Sequence, residues 1–330
     1  MMCNRTLLQI VCALLLLIAR AASTRYISPD DLVKVRLFSA YAGAAYCAQN
    51  YLDPGNETVV FPNTPFPSNS TGQIFHSFVN VSDALTTGTV ALDHARQLVV
   101  ISFRGTVSQE DWQTNLDLLL DDASDVCGEG CFVHSGFLES WRGARHLVLN
   151  AWSALQMSYQ HYQTVVTGHS LGGALAHLCA IELKTRWPDA SVSLYTYGSP
   201  RVGNQVFASF VEQSPGSDNY RLTHLNDPVP RLNKAFGYAH AGPEYHITSP
   251  HIPDVLSANK STLAKPANMI VRSGDVQVFA GPENESGNLS YDCANIAMHD
   301  EYFLHIADCA TYSEVSLLGG KFGSRDGAMF

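Results

Sequence analysis

The chain has 330 residues, 46% of them hydrophobic and only 15% charged, against roughly 25% charged in an average soluble domain. This excludes a disordered chain, and eight cysteines are too sparse for a small disulfide knot. The 20 Lys and Arg are outnumbered by 30 Asp and Glu and nowhere cluster, so no nucleic-acid partner is expected.

Residues 1–21 are predicted to be a secretory signal peptide. Arg5 supplies the positive start, residues 7–18 an apolar run broken only by Gln9, and Ala19-Arg20-Ala21 a small-x-small cleavage pattern. Arg20 ends the run short of the about 20 apolar residues that span a bilayer, and no other segment is apolar enough to span. A secreted, extracellular protein is therefore expected. Its six remaining cysteines would meet an oxidising compartment. N-x-Ser/Thr sequons at Asn56, Asn69, Asn80, Asn259, Asn284 and Asn288 agree with export and mark exposed loops.

Ser28-Pro29-Asp30-Asp31 is a helix start, and Val33, Leu37, Tyr41 and Ala45 give that helix an apolar face. Residues 50–72 read as a loop. Residues 89–92 and 98–103 read as a hairpin around Asp93-His94-Ala95-Arg96. A helix is predicted over 138–160, then a β-branched strand over 164–167 and a helix to about Lys184. Strands over 192–197 and 220–224 follow. This alternation predicts an α/β fold with a mostly parallel sheet flanked by helices, built as a single domain from residue 22 onward.

The strongest chemical signal is Gly168-His169-Ser170-Leu171-Gly172, a G-x-S-x-G between a strand and a helix. There it forms a strained corner that exposes the serine hydroxyl as a nucleophile. Serine needs a base to take its proton, and in this fold type the chain order is Ser, acid, His. Asp227 sits where a strand-end acid should, before Pro228-Val229-Pro230, whereas Asp218 precedes its strand and reads as a turn residue. Chain order leaves His240, His246, His251, His299 and His305 for the base. His299 lies late in the chain, His305 falls inside an apolar run and is expected to be packed, and the other three read as loop residues. Their intervals of six and five match no helical ligand pair, so no metal is expected, and no cofactor. His169 is expected to be structural. The backbone N–H of Leu171 is one expected oxyanion donor. The second is assigned to Thr106, in the loop after the 98–103 strand.

Together these motifs resemble the filamentous-fungal class 3 lipase family: FRGT at 103–106, VTGHSLGGALA at 166–176, YTYGSPRVGN at 195–204, THLNDPVPRL at 223–232, and His299 followed by Tyr302-Phe303. That family includes triacylglycerol lipases, mono- and diacylglycerol lipases and type A feruloyl esterases, and the likeness spans about 28–309. The resemblance implies an α/β-hydrolase fold and a triad of Ser170, Asp227 and His299 with an oxyanion hole at Thr106 and Leu171. It also implies disulfides Cys47–Cys309 and Cys127–Cys131. Cys179, in an apolar helical run, then reads as a buried free thiol, and Cys293 is left unassigned. A lid is implied over 107–116, with Trp112 and Leu116 on one face. Gln109 and Gln113 stand where lipases tend to carry aliphatic residues, which removes about 2–4 kcal/mol of interfacial drive. His246 replaces the family's usual Trp, and a tail runs past residue 310. The expected activity is hydrolysis of acylglycerols at a lipid–water interface by a monomer. Trp112 favours a lipase, whereas FRGT and the polar lid favour a feruloyl or other soluble-ester esterase. A complete triad disfavours an inactive binding glycoprotein on the same scaffold.

Overall fold

The computed structural model describes residues 25–51, 58–59, 61, 72–82, 84–106, 118–213, 218–249 and 271–310. The predicted signal peptide, the lid pair Trp112 and Leu116 with Gln109 and Gln113, His251, the sequons at Asn56, Asn69 and Asn259, and the tail beyond 310 lie outside the described residues.

The strands are β1 (Arg25–Tyr26), β2 (Gly72–Val81), β3 (Thr86–Asp93), β4 (Leu98–Phe103), β5 (Leu120–Asp122), β6 (Phe132–His134), β7 (Gln163–His169), β8 (Val192–Tyr197), β9 (Asn219–His224), β10 (Glu244–Ile247) and β11 (Val276–Phe279). The helices are α1 (Pro29–Ala44), the single turn α2 (Ser124–Cys127), α3 (Ser135–Ser158), α4 (Leu171–Arg186) and α5 (Gln205–Gln213). Nine strands form one sheet in the order β1-β11-β10-β9-β8-β7-β4-β3-β2. Its centre, β4-β7-β8-β9-β10, is parallel. Antiparallel pairs finish both edges.

The central strands read as unbroken apolar or β-branched runs because both of their faces are covered. Each residue of β4 and β8 is buried. On one face α1 packs Val35, Phe38 and Tyr41 against Val100, Val165 and Tyr197. On the other, α3 and α4 pack Leu138, Trp141 and Leu175 against Val99, Phe103 and Val166. The capped start of α1 forms as expected, with the Ser28 hydroxyl accepting from the Asp31 N–H at 3.1 Å. Val33, expected on its buried face, is instead 65% exposed, because the buried stripe runs through Leu32, Val35 and Phe38.

Helix α4 lies unusually close to the sheet. A Cβ on Gly172 would stand 2.2 Å from the Phe103 carbonyl oxygen, so only glycine lets the helix start this near β4. Disulfides Cys47–Cys309 and Cys127–Cys131 are both formed, and Cys179 is a buried free thiol. Cys293 is free and exposed. Among the described residues no helix is long and apolar enough to cross a membrane.

Candidate active site

Ser170 occupies the turn from β7 into α4. Its φ of 57° and ψ of −128° are sparsely populated for a non-glycine residue and cost about 1–3 kcal/mol. The turn is held from both sides: the Ser170 N–H donates to the Tyr197 carbonyl at 2.9 Å, and the Gly173 N–H donates to the Ser170 carbonyl at 2.9 Å. The corner is strained, as the motif requires, but its side chain is buried rather than exposed. The loop after β4 covers it, with Gly105 so close that a Cβ there would lie 3.1 Å from the Ser170 Cβ. Thr106, in that loop, is half-buried. Leu171 is the first residue of α4, where backbone N–H groups lack intrahelical acceptors and the helix dipole is positive.

Asp227 is fully buried just beyond β9. Its Oδ1 accepts from the Val229 N–H at 2.9 Å, which the Pro228 turn aims back at it. The Tyr302 hydroxyl donates to Oδ2 at 2.5 Å, and burial beside this carboxylate pushes the phenol pKa well up. The Nδ1 of His299 lies 3.1 and 3.0 Å from the two carboxylate oxygens. A carboxylate only accepts, so Nδ1 carries the proton and Nε2 presents its lone pair. His299 ends a short 3-10 turn, Ile296–His299, that the Asn295 side chain caps. Its ring lies 4.5 Å, centroid to centroid, from that of His169, the neighbour of Ser170. A Cβ on Gly198 would touch both Asp227 Oδ2 and His299 Nδ1 at 2.9 Å. Asp227 and His299 therefore meet at the C-terminal ends of β8 and β9, next to the β7–α4 corner that carries Ser170, where open α/β sheets place their sites.

Among the described residues, His169, His240 and His246 are engaged elsewhere. His169 bonds through Nδ1 to the Tyr46 hydroxyl and through Nε2 to the His299 carbonyl, both at 2.8 Å, and burial holds its pKa well below the usual value. His240, expected in a loop, is buried and donates from Nε2 to the Pro230 carbonyl at 2.7 Å. His246 lies on β10 rather than in a loop, with Thr223 at 2.9 Å and Tyr291 at 3.4 Å, and burial lowers its pKa to about 4. His305 is exposed, not packed: the 302–306 run turns back on itself through a Glu301–His305 bridge and presents that side chain outward. Among the described residues no cluster of acidic, His and Cys side chains is arranged to hold a metal ion.

Several supporting residues receive no role at the site from the sequence. Tyr302 is one. Asn288 is another, and it corrects the sequon reading: it is buried, and its Nδ2 donates to the carbonyls of Leu225 at 2.9 Å and Asp227 at 3.0 Å. Arg201 is a third, fully buried and forked onto Glu283 at 2.6 and 2.7 Å. Its third nitrogen reaches the carbonyls of Pro230 and Leu232, bracing the loop that follows Asp227. A groove of about 840 Å³ lined by Trp152, Met157, Tyr162 and Trp187 opens at the opposite end of the sheet, where β7 begins, and belongs to no part of this site.

A serine on a strained strand–helix corner, beside a buried imidazole–carboxylate pair on this sheet topology, defines the α/β-hydrolase class. Residues 100–236 match the family model described as "Lipase (class 3)". The chain is 35% identical over 286 residues to the secreted mono- and diacylglycerol lipase 1 of Fusarium solani, covering 86% of this chain and 79% of that protein. It is 31% identical over 269 residues to the secreted mono- and diacylglycerol lipase A of Penicillium cyclopium, covering 80% and 81%. The crystal structure of the mono- and diacylglycerol lipase from Aspergillus oryzae superposes with a TM-score of 0.72 at 31% identity, covering 84% of this chain and 97% of that one. The chain belongs to the class 3 lipase family and is a carboxylic ester hydrolase.

Proposed function

We propose that the protein is a secreted lipase that hydrolyses acylglycerol esters, mono- and diacylglycerols foremost, through Ser170, His299 and Asp227. The observation that carries this reading is the His299 Nδ1 contact with Asp227 at 3.0 Å, beside the strained Ser170 corner. The substrate class is supported by the relatives, which are named mono- and diacylglycerol lipases. Export is supported by residues 1–21 read as a signal peptide, by relatives named as secreted, and by two disulfides that suit an oxidising compartment.

The steps follow from the tautomer. Nε2 of His299 takes the Ser170 hydroxyl proton as Oγ bonds to the ester carbonyl carbon. The carbonyl oxygen becomes an oxyanion and accepts from the backbone N–H groups of Thr106 and Leu171. Losing one such donor costs about 3–4 kcal/mol of barrier. Asp227 holds the ring and stabilises the imidazolium, which gives its Nε2 proton to the departing glyceride alcohol. Water, deprotonated by the same nitrogen, then attacks the acyl-enzyme and releases the fatty acid. One chain supplies each of these groups, so a monomer suffices.

A soluble-ester esterase is the second reading, favoured by FRGT and by the polar Gln109 and Gln113. Both readings are tested together. Wild-type protein should be labelled stoichiometrically at Ser170 by an organophosphonate, and Ser170→Ala should remove label and turnover. Monoolein, diolein and triolein emulsions are then compared with methyl ferulate. Cleavage of ferulate alone sinks the lipase reading.

A further inference from the structure

We propose that Tyr46 and His169 are positioning residues that tie the oxyanion loop, residues 104–106, to the backbone of the base His299, fixing the distance between the two groups that stabilise the transition state. The inference rests on the reading of His299 and the 104–106 loop given above.

The protons of the chain are determined by its ends. The His299 carbonyl can only accept, so His169 Nε2 donates to it at 2.8 Å. His169 Nδ1 is then the unprotonated nitrogen and accepts from the Tyr46 hydroxyl at 2.8 Å. The Tyr46 oxygen also packs directly against the backbone of Gly105 in the oxyanion loop. A Cβ on Gly105 would lie 2.2 Å from that oxygen and 2.7 Å from the His169 carbonyl, so the loop, the phenol and the nucleophile corner leave no slack. Tyr46 and His169 are both buried, so water does not compete for these bonds.

The same device reaches the chain segment that delivers the base. Tyr46 precedes Cys47, and Cys47 is bonded to Cys309, ten residues after His299. The segment carrying the base is thus fastened at its carbonyl by His169 and at its far end by the disulfide. Both fastenings start from consecutive residues after α1. The His169 ring also lies against the ring it positions, tilted by 37° with the centroids 4.5 Å apart. Burial keeps His169 neutral, so it adds no positive charge against the imidazolium that His299 becomes.

The test uses the full-length protein, a soluble short-chain p-nitrophenyl ester, and a phosphonate titration that counts reactive Ser170. Tyr46→Phe keeps the ring and removes only the hydroxyl. We expect kcat per titrated site to fall about tenfold or more with KM within about twofold, since small displacements of catalytic groups act on the barrier. His169→Gln should do the same, and the double variant should be no slower than the slower single one. In the wild type, the ring ¹⁵N shifts of His169 should report a protonated Nε2 and a bare Nδ1, with Nδ1 moving in Tyr46→Phe. A purely structural role predicts fewer titratable sites but unchanged kcat per site, and that result overturns the proposal. An Nδ1-protonated His169 overturns it as well. If His169→Gln does not fold, Tyr46→Phe and the wild-type spectrum decide alone. Wild-type protein that leaves the phosphonate unreacted would defeat the reading of Ser170 itself, and this is read before any variant is compared.

Discussion

At the scale of single residues, the site turns on where one proton sits. Asp227 receives three donors, from Val229, Tyr302 and His299, and each is directed at a carboxylate. Replacing it with Asn keeps the volume but offers an amide that favours the wrong imidazole tautomer. On the proposed mechanism Asp227→Asn should lower kcat by about 10⁴ with little change in KM, measured on a soluble ester. The chain-order rule left five histidines for the base. Hydrogen-bond inventory sets two of them apart, because His240 and His246 are buried with partners of their own away from Ser170. The sequon at Asn288 shows the reverse limit of local reading. A glycan attaches at Nδ2, which here holds two carbonyls of the acid loop in a buried setting. Glycopeptide mass spectrometry of the secreted protein should find Asn288 unmodified, and an occupied Asn288 would contradict its placement.

At the scale of elements, the parts of the fold written locally were legible. Strand β7 announces itself by Thr164-Val165-Val166-Thr167, and the glycine-flanked serine that follows marks the start of α4. The hairpin of β3 and β4 is likewise a short-range event, and its turn, expected over 93–96, falls one residue later at 94–97. The sheet's edges were not legible. Strand β1 is two exposed residues that exist as a strand only through pairing with β11, about 250 positions away. Strand β10 carries His246 between prolines and reads as a loop until Thr223 and Glu244 are seen to satisfy its polar groups. Nothing in Tyr46 or Tyr302 as isolated tyrosines signals that each completes the surroundings of one histidine. The contact between α4 and β4 yields a further prediction. Gly172→Ala places a methyl 2.2 Å from a backbone oxygen, which cannot swing aside as a side chain could. The helix must lift from the sheet, at a cost of about 1–3 kcal/mol or more. Urea unfolding should show a lower midpoint at unchanged slope, with phosphonate labelling slowed because Ser170 rides on the same helix start.

At the scale of the whole molecule, the interior stores neutral histidines, and this sets how stability depends on pH. Burial holds His177 and His246 at about 4 and pushes His169 and His240 well below the ordinary value of 6.5. Above 6.5 these four are neutral in both folded and unfolded chains and favour neither. Below it the unfolded chain binds protons that the folded chain refuses, so unfolding gains free energy as the pH falls from 6.5 towards 4. Each such group contributes a slope of up to about 1.4 kcal/mol per pH unit. Burial raises the carboxyls of Asp300 and Glu301, which bind protons more readily when folded and so work in the opposite sense, just above their ordinary values of 3.8 and 4.5. Glu283, lowered by Arg201, loses its contribution as the pH drops below 4.5. Burial lowers His76 and His224 as well, so six histidines outnumber the two raised acids and begin to act at higher pH. The denaturation midpoint should therefore hold steady from pH 6.5 to about 8, below the range where free thiols and phenols lose protons, and fall continuously between 6.5 and 4. Replacing His246 with Gln, which cannot take up a proton, should flatten that descent by up to about one histidine's share. An unchanged slope in the variant would mean that His246 is not among the groups that resist protonation in the folded protein.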